Sequence, residues 1–153
     1  MAVNMTDTPN ILRIALAQLN PTLGDINGNI KKAREARKDA ARQQADLILF
    51  TELFVSGYPP EDLVLKPAFT EDCMNAVAEF AKDTSDGGPG VIIGSPYRNE
   101  DGLYNAVAVL DGGEIKTWRM KVDLPNYGVF DEKRVYDKAV SYTHLTLPTT
   151  PYV

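Results

Sequence analysis

Two short apolar runs, "ILRIALAQL" at 11–19 and "ADLILFTE" at 45–52, flank a segment rich in alanine and charge at 26–44. This triplet constrains the fold more than any other feature. Apolar runs this short, bounded by turn residues such as those of "NPTLGD", suit buried strands. Between them Ile26, Ile30, Ala33, Ala36 or Arg37, and Ala40 fall near helical spacing, which predicts an amphipathic helix. Strand, helix and strand of these lengths form a βαβ unit, and its two strands run parallel.

The rest of the chain extends that unit. "LFVSGYPPEDLVLKP" is punctuated by Gly57, Pro59 and Pro60 and is expected to be a loop. A second helix is expected from about Ala68 to Lys82, closed by "TSDGGPG". "VIIGS" at 91–95 reads as a third buried strand, and Asp101-Gly102 as a hairpin turn. "NAVAVL" at 105–110 and "EIKTWRM" at 114–120 read as two more strands, joined at Asp111-Gly112-Gly113. The predicted order is β-α-β-α-β-β-β and the class is α/β, with no internal repeat.

Composition excludes several function classes. At 153 residues, with 44% hydrophobic and 24% charged residues, the chain is expected to form one globular domain with a core. The formal net charge is −5 and no stretch gathers cations with aromatics, so nucleic acid is not an expected partner. The densest basic run, Lys31 to Arg42, reads as the solvated face of the first helix. One cysteine, Cys73, excludes a disulfide framework and fits a reducing cytoplasm. No apolar run approaches the ~20 residues of a membrane span, so no membrane is expected. Residues 1–10 lack the basic and apolar regions of a secretory leader and are expected to form a loose arm.

Two charges occupy equivalent places in this pattern. Glu52 follows the second strand and Lys121 follows the last. Ligands of open α/β sheets gather at the carboxyl ends of strands. If the two strands run parallel in one sheet, a carboxylate and an ammonium meet there. Position alone also fits two ordinary solvated charges. The stretch after the lysine, "KVDLPNYGVFDEKR", sets an aromatic, a glycine and clustered charge close together, more than a mere connection needs.

"ILFTELFVSGYPPEDL" together with "RMKVDLPNYGVFDEKR" resembles the nitrilase superfamily, most closely the branch formed by the glutaminase domains of glutamine-dependent NAD synthetases. The opening "IALAQLNPTLGDINGN" is similar to that family's start, and the resemblance covers 11 to about 139. It implies the nitrilase-type α-β-β-α sandwich, of which this chain holds the N-terminal part. It implies a Glu-Lys-Cys triad in which Glu52 is the general base and Lys121 stabilises the tetrahedral intermediate. Glu132 matches a second glutamate that positions the lysine and substrate. Tyr127 matches a glutamine contact, and Tyr58 and Phe130 are expected to line the pocket. These roles are chemically coherent. A thiol needs a base before it attacks, and a fixed ammonium stabilises charge that appears only in the transition state. The three charged groups are therefore expected within ~6 Å of one another.

The family's nucleophilic cysteine follows a further strand, and this chain has no matching segment. Cys73 lies inside the second predicted helix, with no family motif around it, and reads as a packing residue. His144, the one histidine, has no ligand-spaced partner, so no metal site is expected. "SDGGPG" lacks a phosphate-loop lysine and precedes a strand, so it reads as a turn. Residues 140–153 are uncharged and dense in threonine and proline, and are expected to be a non-native tail, such as a translated adapter or vector sequence. The resemblance then implies a longer, ATP-dependent ligase. It would form NAD from deamido-NAD and glutamine, with ATP and magnesium held by a missing synthetase domain and no cofactor in this part. A homo-oligomer is expected of the whole protein. The alternatives are a stand-alone amidase acting on another amide, or a catalytically dead interaction module.

Overall fold

A computed structural model describes residues 11–139. In chain order they form β1 (Ile14–Ala17), α1 (Ile26–Arg42), β2 (Leu47–Phe50), α2 (Pro67–Lys82), β3 (Gly90–Arg98), β4 (Leu103–Asp111) and β5 (Glu114–Met120). Short 3-10 turns occupy Glu61–Leu65, Asp83–Asp86 and Glu132–Arg134. The order β-α-β-α-β-β-β is the one expected. The strands make one sheet in sequence order, with β1, β2 and β3 parallel and β3, β4 and β5 joined antiparallel. It follows that β2 and β5 point the same way and end on the same edge. The β4–β5 turn is Gly112-Gly113, with φ of 58° and 88°, the left-handed pair that a two-residue hairpin needs. Asp25 caps α1 by accepting from the Gly28 N–H at 2.9 Å.

Both helices pack on one face of the sheet. Ile30, Ala33 and Ala40 of α1 and Cys73, Val77 and Phe80 of α2 meet the sheet's inward residues. Those are Ile48 and Phe50 of β2, Val91 and Ile93 of β3, and Ala108 and Leu110 of β4. The register sets every second residue on the opposite face: Ile14 beside Leu47, Leu16 beside Leu49, Leu49 beside Ile92. That face is apolar, and over β1 and β2 no layer covers it among the described residues. This corrects the expectation of a buried first strand over 11–19. The strand is shorter, it lies at the sheet's edge, and Leu16 is 68% exposed. In a two-sheet sandwich this is the face that the second sheet covers.

The segment after β2 is, at its start, the loop expected. It has no regular structure at 53–57, yet Leu53 to Gly57 are all buried. Buried irregular backbone must find partners, and here it does. The Val55 N–H donates to the Gly94 carbonyl at 3.1 Å, and the Gly24 N–H donates to the Ser56 carbonyl at 2.8 Å. The fully buried Asn29 donates to the Val55 carbonyl at 3.1 Å and to the Thr22 carbonyl at 2.8 Å. The stretch expected as a loop is thus irregular, and its first part, 53–57, belongs to the core.

Arg37 of α1 ties the helix layer to the turn before β3. Its Nε donates to the Pro89 carbonyl at 2.8 Å, and its terminal nitrogens hold Asp86 at 2.9 and 2.6 Å. Hydrogen bonds from Arg37, then from the Gly88 N–H, hold the Asp86 carboxyl well below the usual carboxylate range. A carboxyl depressed in the folded state stabilises the fold above its unfolded pKa of 3.8, and that contribution is lost as pH falls below it. Arg37→Met is therefore expected to lower the melting temperature at pH 7 and to lower it less at pH 3. Melting curves at the two pH values check this, and an equal loss at both would count against the Asp86 contribution.

Candidate active site

β2 and β5 are three steps apart in the sheet, with β3 and β4 between them, so strand ends alone would leave Glu52 and Lys121 roughly 14 Å apart. The chain removes that gap by crossing the sheet. Directly after Glu52 it turns at Leu53, whose φ of 50° is in the left-handed region that costs a residue with a side chain about 1–3 kcal/mol. It then passes over β3 at Gly94. A Cβ there would sit 2.4 Å from the Leu53 nitrogen and 2.6 Å from the Thr51 oxygen, so only glycine lets the two backbones come this close. The crossing carries Glu52 over β3 and β4 to the end of β5.

Lys121 is the first residue past β5. Its Nζ donates to Glu52 Oε1 at 2.6 Å and to Glu132 Oε1 at 2.9 Å. Burial alone would lower the lysine's pKa, but the hydrogen bonds and charges of Glu52 and Glu132 outweigh it and raise the value, so the ammonium stays charged. Glu132 arrives through the loop that follows. Gly128 takes φ of 60°, and the Glu132 N–H closes onto the Pro125 carbonyl at 3.2 Å. Arg134 pins the far side of the loop, donating to Asp131 at 2.8 Å and pairing with Asp62. Glu132 is buried, and its Oε2 has no hydrogen-bond partner among the described residues.

Beside this group lies a cavity of about 410 Å³. Tyr58, Phe130 and Glu132 line it, with Leu53, Pro60 and Tyr136. Burial pushes the Tyr136 phenol up, and the charges of Glu132 and Glu52 add to this. Tyr58 is raised as well, by burial and then by the same two carboxylates. Both phenols stay protonated at neutral pH. Tyr127 stands outside the cavity, 71% exposed, with its ring edge-on to Phe130 at 5.7 Å between centroids. The structure thus brings Glu52, Lys121 and Glu132 into contact, sets Tyr58 and Phe130 in the adjoining wall, and leaves Tyr127 at the rim.

Cys73 is remote from this chemistry. It is fully buried in α2, and burial, with Asp72 adding, pushes its thiol up to about 12. A thiol held that high stays protonated and packs as an apolar side chain. "SDGGPG" is a turn, as expected: the Gly88 N–H is spent on Asp86 Oδ1 at 2.8 Å, and that aspartate would repel a phosphate. Among the described residues no group of three or more His, Cys, Asp or Glu could hold a metal, and no helix is long and apolar enough to cross a membrane. His144 and the tail at 140–153 lie outside the described residues, as does the arm at 1–10.

Sequence reasoning passed over Asn105, which sits against Glu52, and Gly94. Each carried a signal. An asparagine opening an apolar strand must find a partner, and a glycine inside a strand marks a close approach of another backbone.

The profile of the carbon-nitrogen hydrolase family matches residues 13–149. The chain belongs to that family. It is 50% identical over 125 residues to the glutamine-dependent NAD(+) synthetase of Thermotoga maritima, which covers 82% of this chain and 22% of that protein. The glutamine-dependent NAD+ synthetase of Acinetobacter baumannii, solved with ADP, superposes with a TM-score of 0.74 at 39% identity, over 85% of this chain and 24% of that one. A Nesterenkonia amidase from the nitrilase superfamily superposes with a TM-score of 0.71 at 24% identity, over 85% of this chain and 49% of that one, and shares the fold. The fold is therefore the nitrilase-type α/β fold. The chain spans about a quarter of the length of the two synthetases.

Proposed function

We propose that this chain is the N-terminal part of the glutaminase domain of an ATP- and glutamine-dependent NAD synthetase. The observation that carries the proposal is the Lys121 ammonium held at 2.6 and 2.9 Å by two carboxylates, in a chain 50% identical to the Thermotoga synthetase over 125 residues.

The residues present suit half of an amide hydrolysis. Glu52 accepts the proton of a cysteine thiol supplied by chain beyond this one, and the thiolate attacks the side-chain amide carbon of glutamine. The carbonyl π-electrons move to oxygen, and the Lys121 ammonium stabilises the new charge. Glu52 returns the proton to the departing nitrogen, the C–N bond breaks, and ammonia leaves a thioester. Water, deprotonated by Glu52, releases glutamate and restores the thiol. Glu132 holds the lysine in place. Tyr58 and Phe130 wall the glutamine site, and Tyr127 closes its mouth. Ammonia then passes to a synthetase unit outside this chain, where ATP with magnesium drives amidation of deamido-NAD. The whole protein is read as a cytoplasmic homo-oligomer.

Two experiments test this. The gene read past codon 139 should continue in frame to a strand followed by a cysteine. Residues 140–153, proposed as non-native, would then be replaced, although the family profile runs on to residue 149. The chain as it stands should release no ammonia from glutamine, because nothing in it attacks the carbonyl. The full-length protein should make NAD from deamido-NAD with either glutamine or free ammonia. Ammonia release from amides without ATP-dependent NAD formation would point instead to a stand-alone amidase.

A further inference from the structure

We infer that Asn105 is a positioning residue that fixes the direction in which the open oxygen of Glu52 points as the base; the inference rests on the functional reading above. Asn105 is the third residue of β4 and is 3% exposed. Its side-chain Nδ2 donates to Glu52 Oε1 at 2.6 Å. Lys121 Nζ donates to that same oxygen, also at 2.6 Å. The main chain of Asn105 completes the link, because its carbonyl accepts the Lys121 N–H at 2.8 Å. One residue on a rigid strand therefore sets the base and the cation together.

The consequence lies in the two carboxylate oxygens. Oε1 is occupied by two donors, whereas Oε2 has no hydrogen bond among the described residues and belongs to a half-exposed side chain. A proton arriving from a nucleophile has one open oxygen to reach. Without Asn105 the carboxylate would keep Lys121 as its partner but could rotate about its last torsion, which has two broad minima. A half-turn only exchanges two equivalent oxygens, but partial rotation within either broad well would leave the open oxygen no longer fixed in direction. Lysine alone supplies attraction; the amide supplies orientation. Leucine at this position would keep the volume and lose the donor. Aspartate would keep the shape and donate only when it carries a proton. Among the described residues the other titratable groups facing this point are Lys121, Glu132, Tyr58 and Tyr136.

The test uses the full-length protein and reads the ratio of glutamine-driven to ammonia-driven NAD formation, so that a general folding loss, which lowers both, is separated. For Asn105→Leu the ratio should fall about 10- to 100-fold, the size expected for one lost hydrogen bond to a charged group. The fall should lie in kcat, with the KM for glutamine changed less than about 3-fold. For Asn105→Asp the ratio should be low at neutral pH and rise as pH falls, over a range where the unsubstituted enzyme shows no such rise. There the introduced carboxyl group takes up a proton and donates as the amide did. An unchanged ratio in Asn105→Leu, while Glu52→Gln abolishes glutamine use, would overturn the inference and leave the functional reading standing. Equal loss with both nitrogen sources in both Asn105 variants, with lowered melting temperatures, would reduce Asn105 to a packing residue and also overturn it. If the unsubstituted protein used ammonia but never glutamine, the functional reading would fall, and this inference with it.

Discussion

In the full-length protein, Lys121→Ala is expected to lower glutamine-driven NAD formation about 10²–10³-fold relative to ammonia-driven formation. That is the usual cost of removing one preorganised contact to a developing oxyanion, about 2.7–4 kcal/mol. The geometry gives reasons to expect the upper part of the range. Lys121 is held by two carboxylates, at 2.6 and 2.9 Å, so it needs no reorganisation when charge develops. Its removal also leaves two carboxylates facing each other without the cation between them, one of them the buried Glu132. A buried carboxylate stripped of its partner is costly, and the group responds by taking up a proton or by moving. Some loss of stability should therefore accompany the loss of rate. Lys121→Met keeps the stem's packing and removes the charge, and should show the same fall in ratio with a smaller drop in melting temperature. Steady-state rates with the two nitrogen sources, on the same preparations, give the comparison. Glutamine use that survives Lys121→Ala would sink the assignment of this ammonium to the oxyanion.

How much of this was legible beforehand depends on whether a feature is local. The βαβ unit was, because helical spacing from Ile26 to Ala40 and the short runs on either side are patterns within the chain. So was the hairpin at Gly112-Gly113, where two glycines meet a conformational demand. The exposure of β1 was not, since burial depends on what lies across the sheet. "ILRIALAQL" has the composition of a two-faced buried strand, but the described residues cover one face only. The candidate site was legible in its members and not in its construction. Strand-end placement and resemblance pointed to Glu52, Lys121 and Glu132. Neither could say how Glu52 reaches Lys121 past two intervening strands. That answer rests on a left-handed Leu53, a glycine in mid-strand, and a buried asparagine, all of which are long-range facts. Tyr127, which its motif matched to a glutamine contact, stands at the rim of the cavity against Phe130.

Gly94→Ala is expected to damage the same activity without touching any charged group. A methyl group at this position would lie 2.4 Å from the Leu53 nitrogen, 2.6 Å from the Thr51 oxygen and 2.9 Å from the Glu52 carbonyl carbon. All three are backbone atoms, so no side-chain rotation relieves the clash. Segment 51–53 must lift off β3, and Glu52 moves with it. The hydrogen bond from the Val55 N–H to the Gly94 carbonyl, 3.1 Å long, resists that movement and stretches. Overpacking of this kind costs about 1–3 kcal/mol in stability, and a catalytic group misplaced by about 1 Å can lose about 10²-fold in rate. The ratio of glutamine-driven to ammonia-driven turnover should therefore fall by about that factor, with a lowered melting temperature. Gly90, at the start of the same strand, provides the control. A Cβ there would meet nothing closer than Leu47 Cδ1 at 3.4 Å, so Gly90→Ala should leave both quantities near their original values. If Gly94→Ala behaved like Gly90→Ala, the backbones would not cross as closely as the structure has them, and the route by which Glu52 reaches Lys121 would need another explanation.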